Sequence, residues 1–208
     1  MELQEAVRKR RMIRRYDPDR PVPAEVLDRV LELALRAPSA GFSQGWDFVV
    51  LDQDADRDAF WSATVEEDDE PDAWLAGLQT APALVLCCSD KQTYLERYAE
   101  DDKPWQDMDE SHWPVPYWDI DTGMAALLML LVAVDEGLGG LFFGVPAEAH
   151  DTVHETFGIP KDHTIVGVVA LGYAAESDPS GSTRKRARRG VGEVVHRGRY
   201  GTPYEPSA

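Results

Sequence analysis

Met124-Ala125-Ala126-Leu127-Leu128-Met129-Leu130-Leu131-Val132-Ala133-Val134 is a run of 11 residues without one polar side chain. It reads as a helix that is apolar all round, which belongs in a core or an interface rather than on a solvated surface. Asp121-Thr122 is placed to cap it, and it extends to about Glu136. The run is too short to cross a bilayer. Gly137, Gly139, Gly140 and Gly144 follow, enclosing Leu141-Phe142-Phe143. Pro146 opens a further helix to about Phe157, closed by Gly158-Ile159-Pro160, and Ile165 to Leu171 is a strand.

Working back toward the N-terminus, Leu3 to roughly Ile13 reads as helical, with Arg10 and Arg14 one turn apart, and Asp17-Pro18-Asp19 ends it in a turn. From Pro23 a second helix carries the stripe Val26, Leu27, Val30, Leu31, Ala34 and stops before Pro38. Residues 37–41 are irregular, and Trp46 to Leu51 is a strand by its β-branched and aromatic content. Residues 54–79 read as helical pieces, broken by Pro71 and by the acidic run Glu66 to Glu70, a solvated connection. Ala83 to Cys88 is a buried strand and Lys91 to Glu100 a helix. Residues 101–118 have no period and hold Trp105, Trp113 and Trp118. They are either a surface loop pinned by its aromatics or a lid over a flat apolar ligand. The element order describes one α+β, or three-layer α/β, domain in 208 residues.

Lys and Arg number 21 against 38 Asp and Glu, a net charge of −17 that argues against a nucleic-acid or anionic-membrane binder. The positive charge is concentrated at the ends: residues 1–20 sum to +3 and the basic extension 181–208 to +5. These clusters are either two solvated tails or two halves of one site for a small anion, since guanidinium groups match phosphate oxygens in paired geometry. Cys87 and Cys88 are adjacent in an apolar run and read as reduced core residues; with no signal peptide in the sequence, the expected compartment is cytoplasmic.

Side-chain catalysis has thin support. His150 and His154 share a helical face but lack an HExxH frame, so they read as a structural pair and no metal is expected. GxSxG, GxGxxG and Walker A patterns are missing. An enzyme of this composition leaves its chemistry to a cofactor held by backbone and arginines.

Arg10-Arg11-Met12-Ile13-Arg14-Arg15-Tyr16, Pro21-Val22-Pro23, Ala37-Pro38-Ser39-Ala40 with Gln44, and Trp46-Asp47-Phe48-Val49-Val50 together resemble the opening of the nitroreductase family of FMN flavoproteins. The resemblance continues through Asp135-Glu136-Gly137-Leu138-Gly139 and ends in a basic tail before Glu193-Val194-Val195-His196. It implies a three-layer α/β/α fold with a central, mostly antiparallel sheet, and a homodimer. It also implies that Arg10, Arg186 and Arg188 hold the FMN phosphate, with Arg11 and Met12 beside them, and that Arg14 lies near the isoalloxazine ring. Pro38, Ser39 and Ala40 would reach the flavin across the dimer interface. The backbone of Phe142-Phe143-Gly144 would approach N5, where Gly144 makes room. This chain departs from the family pattern at Met12, where serine is usual, at Phe42, where asparagine is common, and at Gly45, where proline is common.

The implied activity is hydride transfer from a reduced nicotinamide, through FMN, to an electron-poor acceptor such as a nitroaromatic, a quinone or an activated alkene. A reduced deazaflavin is the alternative donor, other branches being specialised flavin enzymes, and a non-catalytic flavin-binding protein is the reading from another class.

Overall fold

The computed structural model describes residues 1–65, 72–175 and 187–205. The strands β1 (Trp46–Leu51), β2 (Ala83–Asp90), β3 (Gly139–Phe143) and β4 (His163–Gly172) form one sheet in the order β1-β2-β4-β3, with every neighbouring pair antiparallel. The two central strands are buried on both faces, which is why β2 is apolar without alternation.

Helices cover both faces. Leu84, Leu86, Cys88, Val168 and Ala170 pack toward Phe60 of α3 (Asp54–Thr64), Leu78 of α4 (Ala73–Leu78) and Val153 of α7 (His150–Phe157). Ala83, Val85, Cys87, Val169 and Leu171 face Val30 of α2 (Ala24–Ala34) and Met129 and Ala133 of α6 (Tyr117–Asp135). Between Cys87 and Cys88 the partner on β4 steps from Gly167 to Ile165. This bulge lets Ile165 and Val168 share one core despite their odd spacing. Both cysteines are buried thiols.

Two expectations are corrected. The first helix, α1 (Leu3–Lys9), ends well before Ile13: Arg10 leaves helical geometry at φ −52°, ψ 125°. The chain beyond it gives up helical bonds to pair with β3 and with the end of β4, so tertiary pairing overrides local period. The long helix α6 begins after Pro116, not at Asp121-Thr122. Thr122 donates to the Trp118 carbonyl one turn back (2.8 Å), and Asp121 is buried and bonded elsewhere.

At 19 residues α6 is long and apolar enough to cross a bilayer by length and composition, which its 11-residue run is not. Its Trp118, Ala125, Met129 and Ala133 are instead buried against the rest of the fold. The opposite side carries Ile120 and Leu127 exposed, with Met124, Leu131 and Val134 half-buried, at alternating spacings of four and three. This is an apolar stripe of helical period that its own chain covers only in part, Met124 packing against the cluster of Ala37, Trp46 and Ala125.

The chain divides into two compact units, Met1–Asp178 and Pro179–Ala208. In the second, α8 (Val191–Val194) is a single turn whose preceding Gly190 N–H donates to Glu193 Oε2 at 2.6 Å. His196 bridges Pro203, and the Arg197 guanidinium lies 4.8 Å from the centre of the Tyr204 ring. The acidic run Glu66 to Glu70 lies outside the described residues.

Candidate active site

Residues 10–16 form a non-helical arm that bridges β3 at Gly140 and then the chain just beyond β4 at Ala174. Met12 makes a parallel bridge with Gly140, and the Ile13 N–H donates to the Gly140 carbonyl at 3.1 Å. Farther on, Tyr16 bridges Ala174, and the Asp17 N–H donates to the Tyr173 carbonyl at 2.9 Å. The buried Tyr16 hydroxyl donates back to the Ile13 carbonyl at 2.9 Å. Gly139 permits this approach, since a Cβ there would lie 2.7 Å from Ile13 Cγ1.

Arg10 leaves helical geometry, so Arg10 and Arg14 are not neighbours by a helical turn. Arg14 Nη1 donates to the Met12 carbonyl at 2.9 Å. Arg11 turns back, its Nη1 donating to the carbonyls of Arg8 (2.6 Å) and Arg10 (2.9 Å). Arg10 is different: its Nη1 is buried and has no hydrogen-bond partner among the described residues. Leaving a buried donor unmade costs about 1–3 kcal/mol, more for a charged group, so this guanidinium is suited to an anion.

At the end of β3, Phe143 and Gly144 border a cavity of about 250 Å³ that also takes in Trp61, Trp74, Leu75 and Glu148. The Phe143 ring stacks on Trp61 (centroids 6.0 Å, planes 11° apart) and meets Trp74 edge-on at 6.5 Å. A Cβ on Gly144 would touch nothing within 4 Å, so the chain's own packing does not require glycine there. The helix α4, which supplies Trp74, is seated on the arm: a Cβ on its Gly77 would lie 2.4 Å from the Arg14 carbonyl oxygen. Arm, α4 and cavity thus share one wall.

Pro38, Ser39 and Ala40 are elsewhere. They precede β1, the strand at the other edge of the sheet from β3. A clamp fixes them: Asp121 Oδ2 accepts the Ala40 N–H (2.8 Å) and the Tyr94 hydroxyl (2.9 Å), and Ser39 Oγ accepts the Gln44 N–H (3.0 Å). Arg97 Nε of α5 (Lys91–Tyr98) donates to the Gly41 carbonyl at 3.0 Å. Burial, with the Asp121 carboxylate second, pushes the Tyr94 hydroxyl far above the ordinary tyrosine range. Within the clamp Gly41, Phe42 and Gln44 hold φ of +61°, +58° and +56°. For the two non-glycines this costs about 1–3 kcal/mol each, and persists only where surrounding contacts impose it.

Arg188 is described, exposed, in the second unit, whereas Arg186 lies outside the described residues. The tryptophans of 101–118 pack on α5 and the start of α6: Trp105 stacks on Tyr98 at 5.3 Å and on His112 at 4.9 Å, and Trp113 lies 4.6 Å from Tyr98. None of these residues lines the cavity beside Phe143. Sequence reasoning overlooked Trp61 and Trp74, although two tryptophans flanking the acidic run were a usable signal. It also read Asp121 as a cap, and nothing local in the sequence marks it as a clamp.

The nitroreductase family model matches residues 7–173. A Methanothermobacter thermautotrophicus relative is 31% identical over 181 residues, covering 85% of this chain and 80% of its own. An NADH dehydrogenase of Thermus thermophilus is 30% identical over 196 residues, covering 85% and 88%. Among solved structures, a nitroreductase family protein from Clostridium difficile 630 superposes with a TM-score of 0.70 at 24% identity, covering 97% of this chain and 99% of its own. An FMN-dependent nitroreductase from Clostridium difficile R20291 gives 0.66 at 22%, covering 94% and 98%. The paired arm, the antiparallel sheet and the family match lead to one conclusion: the chain belongs to the nitroreductase family, a class of oxidoreductases.

Proposed function

We propose that the protein is an FMN-dependent oxidoreductase that takes a hydride from a reduced nicotinamide and delivers reducing equivalents to an electron-poor acceptor such as a nitroaromatic, quinone or activated alkene. The observation that carries this reading is the buried Nη1 of Arg10, which has no hydrogen-bond partner among the described residues and lies two residues before the Met12 bridge to Gly140 of β3. A buried guanidinium Nη1 with no partner among the described residues fits a phosphate oxygen, and the open space at Gly144 fits the backbone approach of a flat ring.

When bound, FMN supplies two-electron chemistry at N5. Arg10 binds the phosphate. Arg14, four residues farther along the arm, would place a positive charge near the ring, which favours the reduced state. Phe143 and Gly144 border the cavity, which Trp61 and Trp74 also line. The phosphate role extends to Arg186 and Arg188 on the strength of the resemblance, to be read from affinity. No side chain need act as acid or base, because solvent supplies protons to such acceptors.

The functional unit is a homodimer. Arg10 lies two residues before the bridge to β3, and Ala40 precedes β1 at the other edge of the sheet, an arrangement compatible with a site that takes them from different copies. The partly covered stripe of Ile120, Met124, Leu127, Leu131 and Val134 supplies an apolar surface for such an isologous contact. The deciding experiment mixes FMN-loaded protein with NADH or NADPH without oxygen. Bleaching of the flavin band, and its return on adding a nitroaromatic or quinone, is expected. A band that persists with both donors, or a loaded protein that sediments as a monomer, would overturn the corresponding half of the proposal.

A further inference from the structure

We infer that the cavity beside Phe143 selects substrates that carry an alkylated ammonium group, with Glu148 setting the charge preference and Trp61 and Trp74 receiving the alkyl groups. This rests on the reading above, in which the cavity is where an acceptor meets the flavin. Among the described residues that line the cavity, Glu148 is the only charged one, and no basic residue stands with it there. Glu148 is exposed and makes no ion pair or hydrogen bond with the described residues. A carboxylate left without a counter-charge beside apolar walls of low dielectric focuses a negative field on the opening, which draws cations and repels anions.

The rings that line the cavity suit the same ligand. Phe143 lies 11° from the plane of Trp61 and 86° from that of Trp74, so the two indoles are themselves close to perpendicular. Perpendicular rings make a corner, whereas a flat neutral ring stacks best in a slot between parallel faces. A compact trimethylammonium group fits a corner. Trp74 is 43% exposed, which leaves indole surface free for a ligand, and Trp61 Nε1 is buried, so a ligand in the opening meets the Trp61 ring rather than its N–H. Indole is the side chain that attracts cations best through its ring quadrupole. An alkylated ammonium has no N–H to satisfy, so ring walls leave no donor of the ligand unpaired.

The charge of the chain as a whole acts in the same direction. Its net charge is −17, and in sequence the acidic run Glu66 to Glu70, outside the described residues, joins the two helices that carry Trp61 and Trp74. A small cation approaching the chain is therefore attracted and a small anion repelled, and both effects are screened by salt.

The test is calorimetric titration of the FMN-loaded protein with three probes of nearly one shape: choline, 3,3-dimethyl-1-butanol and 3,3-dimethylbutanoate, which are cationic, neutral and anionic in turn. Choline is expected to bind about tenfold more tightly than the alcohol, and the carboxylate most weakly. Glu148→Gln and Trp74→Leu should each cut the preference for choline over the alcohol about threefold or more, and Trp74→Phe should keep it. FMN affinity should be unchanged in Glu148→Gln. Choline and the alcohol binding within twofold of each other in the loaded parent would overturn the inference alone and leave the flavin reading standing. A preference kept in full by both Glu148→Gln and Trp74→Leu would put the cation elsewhere and also overturn it. A parallel loss of FMN affinity in Glu148→Gln would make Glu148 a structural residue and overturn its role. A parent protein that binds no FMN would remove the underlying reading and the inference together.

Discussion

Asp121 and Ala40 are 81 residues apart in sequence, yet the buried carboxylate accepts the Ala40 N–H at 2.8 Å and so ties α6 to the segment before β1. The same oxygen accepts the Tyr94 hydroxyl. Replacing Asp121 by Ala leaves two donors without their acceptor. A loss of about 2–4 kcal/mol is expected, with a smaller loss for Asp121→Asn, which keeps one acceptor oxygen. Urea unfolding monitored by circular dichroism measures both; equal stability of the parent and the Ala variant would remove the clamp from the account.

Tyr94 gives this clamp a pH signature. Burial, reinforced by Asp121, raises its pKa above the unfolded value, so the folded state keeps a proton that the unfolded state releases. The contribution is complete below about pH 10 and is lost progressively as pH rises above it. Unfolding free energies at pH 9 and pH 11 should therefore fall more steeply for the parent than for Tyr94→Phe. Identical slopes would show that Tyr94 ionises normally.

Arg14 should tune the flavin as well as hold it. A fixed cation beside the ring favours the reduced state, so Arg14→Ala is expected to lower the midpoint potential by tens of millivolts, at about 30 mV for each 1.4 kcal/mol in a two-electron couple. Spectroelectrochemistry of fully loaded parent and variant reads this directly, and an unchanged potential would take Arg14 out of the mechanism.

Much of this fold was legible because its strands are short and their burial is written in composition. Trp46–Leu51 has the predicted bounds, and Ala83–Cys88 extends by only Ser89 and Asp90. The arm was misread for a physical reason. Residues 10–13 continue the helical period of α1, but sheet-edge pairing to Gly140 outweighs that local preference. The resemblance assigns Arg10, Phe143 and Gly144 to one site; the structure puts the residue two beyond Arg10 beside Gly140 and puts Phe143 and Gly144 at the other end of β3. The partition of Arg10 and Ala40 between opposite edges, and the role of Asp121, depend on contacts between distant residues that no local pattern encodes.

The central claim is that Arg10 is a phosphate ligand, and calorimetric titration of the apoprotein with FMN and with riboflavin tests it most directly. Charge-assisted hydrogen bonds contribute about 1.5–3 kcal/mol, so Arg10→Ala should weaken FMN by about tenfold or more while leaving riboflavin, which has no phosphate, within twofold. Arg188→Ala, measured alongside, should share the pattern. Equal losses for FMN and riboflavin, or no loss for either, would contradict the account.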